Sequence, residues 1–168
     1  NFTLNMDILA IESSCDETSC AICEMDDNTR ELKLNIIASS VDVQALYGGV
    51  VPEIASRAHI EAISKITYEA LSVAGLKMSD ISAIAVTNGP GLIGALLVGV
   101  NFAKSLAFAN NIPLVPVDHI KGHVAANYIT HKELKPPFLA LVVSGGHTSF
   151  FDVKSYTEMV EIASTRDD

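Results

Sequence analysis

The stretch MDILAIESSCDETSCAICEM, residues 6–25, decides the fold. MDILAIE is a short apolar run, SSCDE is a polar turn, and TSCAICEM is apolar again, which is the pattern of two antiparallel strands joined by a tight connection. A second polar turn, DDNTR, leads into ELKLNIIASS, so the opening predicts a three-strand antiparallel meander.

Outward from that meander the periodicity changes. Gly48 and Gly49 lead to Pro52, well placed at a helix start, and Ile54, Ala58, Ala62, Ile66 and Ala70 then recur at helical spacing until Gly75. Next come a strand, ISAIAVT, the turn NGPG, a helix over 92–110, a strand, LVPVD, and a helix bearing His119 and His123. The order is βββαβαβα. At residue 138 the pattern restarts: FLALVVSGGHTSFFDVKSYTEMVEIAS reads strand, polar turn, strand, turn, strand. A duplicated βββαβαβ unit is the α/β pattern of the actin, sugar-kinase and Hsp70 architecture, a ribonuclease H-like fold. The first lobe is expected over residues 1–136 and the opening strands of a truncated second lobe over 137–168. Three strands with no covering layer cannot bury an apolar face, so the chain reads as a fragment, and a homodimer of the fragment through that face stays open.

Composition narrows the class. With 168 residues, 49% hydrophobic and 18% charged, the chain can bury a core and is not a disordered tail. The longest apolar window, GLIGALLVGVNFAKSLAFA, is broken by Asn101, Lys104 and Ser105 and reads as a buried helix, not a membrane span. NFTLN has neither a basic n-region nor an h-region, so a cytoplasmic address is expected. Cys15, Cys20 and Cys23 are an odd, clustered set that suits free buried thiols in a reducing compartment better than a disulfide framework or metal ligands. The net charge of −9 is a handicap for holding a phosphate backbone alone. A nucleic-acid substrate would require basic surface from a partner or from further chain.

Four motifs carry chemistry. GPGLIG, residues 89–94, satisfies G-x-G-x-x-G between a strand and a helix, with Asp118 at a ribose-binding distance. It follows the fourth strand, not the first, and Pro90 removes an N–H, so tight turning and close helix packing explain the glycines better than a dinucleotide does. The turn around Glu12 and Asp16 and its repeat counterpart SGGHTS, residues 144–149, are both unusually polar, and Gly145 and Gly146 would let backbone N–H groups reach an anionic or acyl group. His119 and His123, four residues apart, share one helix face just past a strand's carboxyl end, which offers half of a metal site. On the first long helix, Glu53 with Arg57 and Arg57 with Glu61 read as surface pairs, and neither His59 nor His131 has a spacing that would complete the metal site.

The segments ILAIESSCDETS, GGVVPEIASRAH, TNGPGLIGALLVG, VDHIKGHVAA and LVVSGGHTS, in that order, resemble the bacterial tRNA threonylcarbamoyladenosine transferase family, TsaD, formerly Gcp or glycoprotease. The resemblance runs from Met6 to the end of the chain. It implies transfer of a threonylcarbamoyl group from threonylcarbamoyl-AMP to N6 of the adenosine beside the anticodon, in tRNAs reading codons that start with A. It implies that His119 and His123 ligate Fe2+ or Zn2+, with a third, aspartate ligand outside this chain. It further implies that Val142, Val143, Ser144, Gly145 and Gly146 belong to the substrate-binding strand and turn, with His147 beside them. Glu12 and Asp16 are the candidates for proton handling or for organising water and metal. His147, where the archaeal and eukaryotic branch has asparagine, favours the bacterial form. That form works with a non-catalytic paralogue, TsaB, and an ATPase, TsaE, and the helices over 52–74 and 92–110 offer the paralogue a docking face.

Two rivals differ in class. A helix-borne zinc peptidase needs Glu directly after its first His, in H-E-x-x-H, and Ile120 stands there. A non-catalytic scaffold would share the NGPG turn but has no need of both histidines. The 168 residues are expected to be inactive alone, since half the cleft and one ligand lie outside them.

Overall fold

The computed structural model describes residues 5–26, 29–144 and 148–165. Among these residues the strands are β1 (Met6–Glu12), β2 (Glu17–Met25), β3 (Arg30–Ser39), β4 (Ile81–Gly89), β5 (Leu114–Asp118), β6 (Phe138–Val143), β7 (Thr148–Val153) and β8 (Met159–Ser164). The helices are α1 (Val41–Ala45), α2 (Pro52–Ala74), α3 (Ile93–Asn110) and α4 (His119–Thr130), with a 3-10 turn at Met78–Asp80. The expected order is present. The short α1 and the 3-10 turn are additions too brief to leave a periodicity in the sequence. Contacts divide the chain into two compact units, Asn1–His119 and Ile120–Asp168.

The first unit is a five-stranded sheet in the order β3-β2-β1-β4-β5. β1, β2 and β3 form the antiparallel meander, while β4 and β5 join β1 in parallel. Register explains the core. Leu9 pairs with Ile22 and Ile11 with Cys20, so all four side chains stand on one sheet face, and all four are buried. Against that face pack Ile63, Ile66, Ala70 and Leu71 of α2 and Ala103 and Ala107 of α3. Each such aliphatic side chain of Leu or Ile size contributes about 1.5–3 kcal/mol on burial.

The helices end where chemistry stops them. α2 opens on Pro52 after Val51, whose N–H is held by the Gln44 side chain at 2.9 Å. It closes at Gly75, left-handed at φ 70°, where Gly75 N–H reaches Ser72 O and Leu76 N–H reaches Leu71 O. α3 closes the same way on Asn111, at φ 53°.

α3 corrects one expectation. It is long and apolar enough by length and composition to cross a membrane, and the sequence reads it as buried. Only one side is buried, through Ala95, Gly99, Ala103 and Ala107 at four-residue spacing, with Leu96 beside Ala95. Leu97 and Phe108 lie exposed on other sides. Small residues let the helix settle close to the sheet, with Val98, Val100, Phe102 and Leu106 partly buried against the core while Leu97 and Phe108 stay outside.

The second unit contains α4 after His119 and an antiparallel sheet in the order β6-β7-β8. Val124 and Tyr128 of α4 share a core with Phe151, Val153 and Met159. That shared core is why contacts assign α4 to the second sheet, whereas the sequence division at residue 136 leaves it with the first lobe. On β6, Leu139, Leu141 and Val143 alternate outward and are more than half exposed.

Candidate active site

Three parallel strands, β1, β4 and β5, end side by side. In register, Ile11 pairs with Val86 and Thr87 with Val117, so Glu12, Thr87 and the residue following β5, His119, are brought together from positions far apart in sequence. Groups beyond the carboxyl ends of parallel strands are where open α/β sheets bind ligands.

Glu12 is the hub. Its Oε1 accepts the Ser14 N–H at 2.5 Å, and its Oε2 accepts the Thr87 hydroxyl at 2.5 Å. Oε2 also lies 3.1 Å from Nδ1 of His119, and Ser14 Oγ stands 3.1 Å from that same nitrogen. Burial alone would raise the Glu12 carboxyl, but hydrogen bonds from Ser14, Thr87 and His119 together hold it below its ordinary value of 4.5. A carboxylate can only accept. Its partner nitrogen on the imidazole therefore carries the proton, which puts the ring's lone pair on Nε2. This carboxylate-to-histidine arrangement is the one that orients metal-binding or proton-accepting imidazoles.

The turn that carries Glu12's neighbours is clamped. Ser13 Oγ donates to Ala95 O at 2.9 Å, and Ser14 O accepts from Leu92 N–H at 2.8 Å. Gly91 and Gly94 of GPGLIG, with Gly99 of α3, allow this proximity. A Cβ on Gly91 would sit 2.5 Å from Ser14 O, one on Gly94 2.5 Å from Ser56 Oγ, and one on Gly99 would collide with the Ser13 side chain. Close packing accounts for Gly91, Gly94 and Gly99, whereas Gly89 has open space around it.

Asp16 lies on the same turn, half-buried, with its backbone carbonyl held by Ser40 Oγ at 2.6 Å and its side chain against Cys15. His123 is exposed one turn beyond the start of α4. Within the second unit it lines a pocket of about 250 Å³ with Val124, Asn127 and Ala140 to Ser144 of β6 and its end. Val142, Val143 and Ser144 are thus brought beside His123. Gly145, Gly146 and His147 lie outside the described residues. Among the described residues no cluster of three or more His, Cys, Asp or Glu forms a metal site. By donor chemistry the imidazole of His119, oriented by a carboxylate, suits a divalent metal, and His123 follows it one helical turn along the chain.

The thiols are free. Cys20 is buried and Cys23 half-buried, as the sequence suggests, but Cys15 is exposed because it occupies the turn. Sequence reasoning missed Thr87, whose only signal is its place as the last hydroxyl before NGPG. It also missed His59, wholly buried against this turn, because helical spacing placed it among surface charges. The surface reading holds for Glu53 and Arg57, which pair at 2.8 Å.

The fold defines the class first: this is an actin-like α/β protein. YeaZ from Pseudomonas aeruginosa superposes with a TM-score of 0.62 at 18% identity, over 95% of this chain and 66% of that one. The Aquifex aeolicus PPX-GPPA enzyme superposes with a TM-score of 0.55 at 12% identity, over 95% of this chain and 52% of its own; both share this architecture. Residues 31–168 match the family model described as TsaD: tRNA N6-adenosine threonylcarbamoyltransferase. The Clostridium perfringens protein of that description is 57% identical over 161 residues, 96% of this chain and 47% of that protein. The chain belongs to the tRNA N6-adenosine threonylcarbamoyltransferase family and spans about half the length of the curated relatives it matches.

Proposed function

We propose that the full-length protein transfers a threonylcarbamoyl group from threonylcarbamoyl-AMP to N6 of the adenosine beside the anticodon in tRNAs reading codons that begin with A. The observation that carries this reading is the 57% identity over 161 residues to a relative of that name. The carboxylate-oriented His119 at the strand ends supports it.

In the reaction the adenosine amine attacks the carbamoyl carbon, an N–C bond forms, the C–O bond to phosphate breaks, and AMP leaves with the proton balance made up by the amine. Glu12, ionised and saturated with donors, is a poor base, so its part is to orient His119 and fix its tautomer. Asp16 is left as the group to receive the amine's proton. Val142, Val143 and Ser144, which line a pocket with His123, would belong to the substrate-binding strand and turn. His119 and His123 would hold a divalent ion, Fe2+ or Zn2+, which when bound supplies Lewis acidity at the carbamoyl oxygen.

The acidic chain needs help with tRNA, which fits assembly with the paralogue TsaB and the ATPase TsaE. A groove of about 390 Å³ lined by Ile60, Ile63, Leu97 and Phe102 on α2 and α3 suits the paralogue. A cytoplasmic location fits a tRNA substrate. The test is nucleoside mass spectrometry of tRNA incubated with the full-length protein, its two partners, ATP, threonine, bicarbonate and the adenylate-forming enzyme. Threonylcarbamoyladenosine that depends on this protein supports the reading. Its absence with active partners would return a non-catalytic scaffold to first place.

A further inference from the structure

Three successive carbonyls of the Ser13 to Asp16 turn are each taken by a different element. Ser14 O accepts Leu92 N–H at 2.8 Å, Cys15 O accepts His59 Nε2–H at 2.8 Å, and Asp16 O accepts Ser40 Oγ–H at 2.6 Å. His59 is 0% exposed. Because a carbonyl only accepts, the neutral ring carries its proton on Nε2, and Nδ1 accepts the hydroxyl of Thr18 at 2.6 Å. One imidazole from α2 thereby ties the middle of the turn to the first buried residue of β2.

A buried, satisfied histidine is commonly a core residue and nothing more. Here its acceptor is the residue after Ser14, whose N–H holds Glu12 and whose Oγ stands 3.1 Å from His119 Nδ1. Movement of the Cys15 carbonyl passes through covalent geometry to both. We infer that His59 is a positioning residue: through Cys15 and Thr18 it sets the turn that fixes the Glu12, Ser14 and His119 geometry. This rests on the reading of His119 as a working residue of the transferase.

The test uses the full-length protein with 15N-labelled histidine, as wild type, His59→Ala, His59→Gln, Thr18→Val and Ile66→Val. Ring nitrogen shifts report the His119 tautomer, and transfer kinetics report kcat and KM for tRNA. His59→Ala is expected to redistribute the His119 tautomer and to lower kcat about 10- to 100-fold, as misplaced catalytic groups do, with KM changed less than about twofold. His59→Gln, which keeps a donor for Cys15 O, should recover most of the loss. Ile66→Val, buried on the same helix two turns beyond His59, should leave the tautomer alone. Unchanged His119 signals in folded His59→Ala and Thr18→Val would overturn the inference, as would an equal shift in Ile66→Val. Should His59→Ala not fold, Thr18→Val decides by the same criterion. A wild type without transferase activity would remove the reading of function, while the ring signals would still judge the role of His59.

Discussion

Glu12 receives Ser14 N–H, Thr87 Oγ–H and His119 Nδ1, and that saturation sets what single residues here can do. Glu12→Gln keeps the shape but offers an N–H toward His119, which favours the opposite ring tautomer; the expected result is a reversed tautomer by 15N NMR with the fold intact. The thiols make a separate prediction. Burial pushes the Cys20 thiol from 9.0 up to about 11. The folded state therefore holds this proton more tightly than the unfolded state, so the contribution is complete below pH 9.0, the unfolded value, and is lost as pH rises through about 11. Urea midpoints should fall less steeply between these limits in Cys20→Ala than in wild type, and iodoacetamide at pH 8 should modify exposed Cys15 before Cys20. The strand-end places of Glu12 and His119 were legible, since one ends and the other follows a readable strand. Thr87 and His59 were not, because their role comes from register and burial across long sequence separations.

At the scale of elements, two glycines of the same sequence type do different work. Gly75 is left-handed with open space around it, so Gly75→Ala should cost about 1 kcal/mol from backbone strain alone. Gly99 lies where α3 meets β1, and a Cβ there collides with Ser13, so Gly99→Ala should cost about 1–3 kcal/mol as overpacking does. Chemical denaturation of both variants checks the order. Loss of transfer activity beyond the stability loss is expected only for Gly99→Ala, which presses on the turn. α2 was legible to the residue, from Pro52 to Gly75, because both ends carry specific backbone chemistry. The half-exposure of α3 was not, since an apolar helix with small residues on one face has the composition of a buried one.

For the whole molecule, the meander, the parallel additions and the restart at Phe138 could all be read from alternation and turn residues. The grouping of α4 with the second sheet could not, because it depends on Val124 and Tyr128 meeting Phe151 and Val153. The apolar groove on α2 and α3 gives a test at this scale: Leu97→Asp in the full-length protein should abolish co-purification with the paralogue while leaving the unfolding midpoint near wild type, because Leu97 is half exposed. The most direct measurement of the central claim is single-turnover transfer from preformed threonylcarbamoyl-AMP to tRNA by the full-length protein with its partners, comparing wild type, His119→Ala and Glu12→Gln. Transfer by wild type, reduced about 100-fold or more in both variants with tRNA binding retained, is the expected result. Transfer that is absent from wild type, or unchanged in both variants, would contradict the assignment of this strand-end site to the reaction.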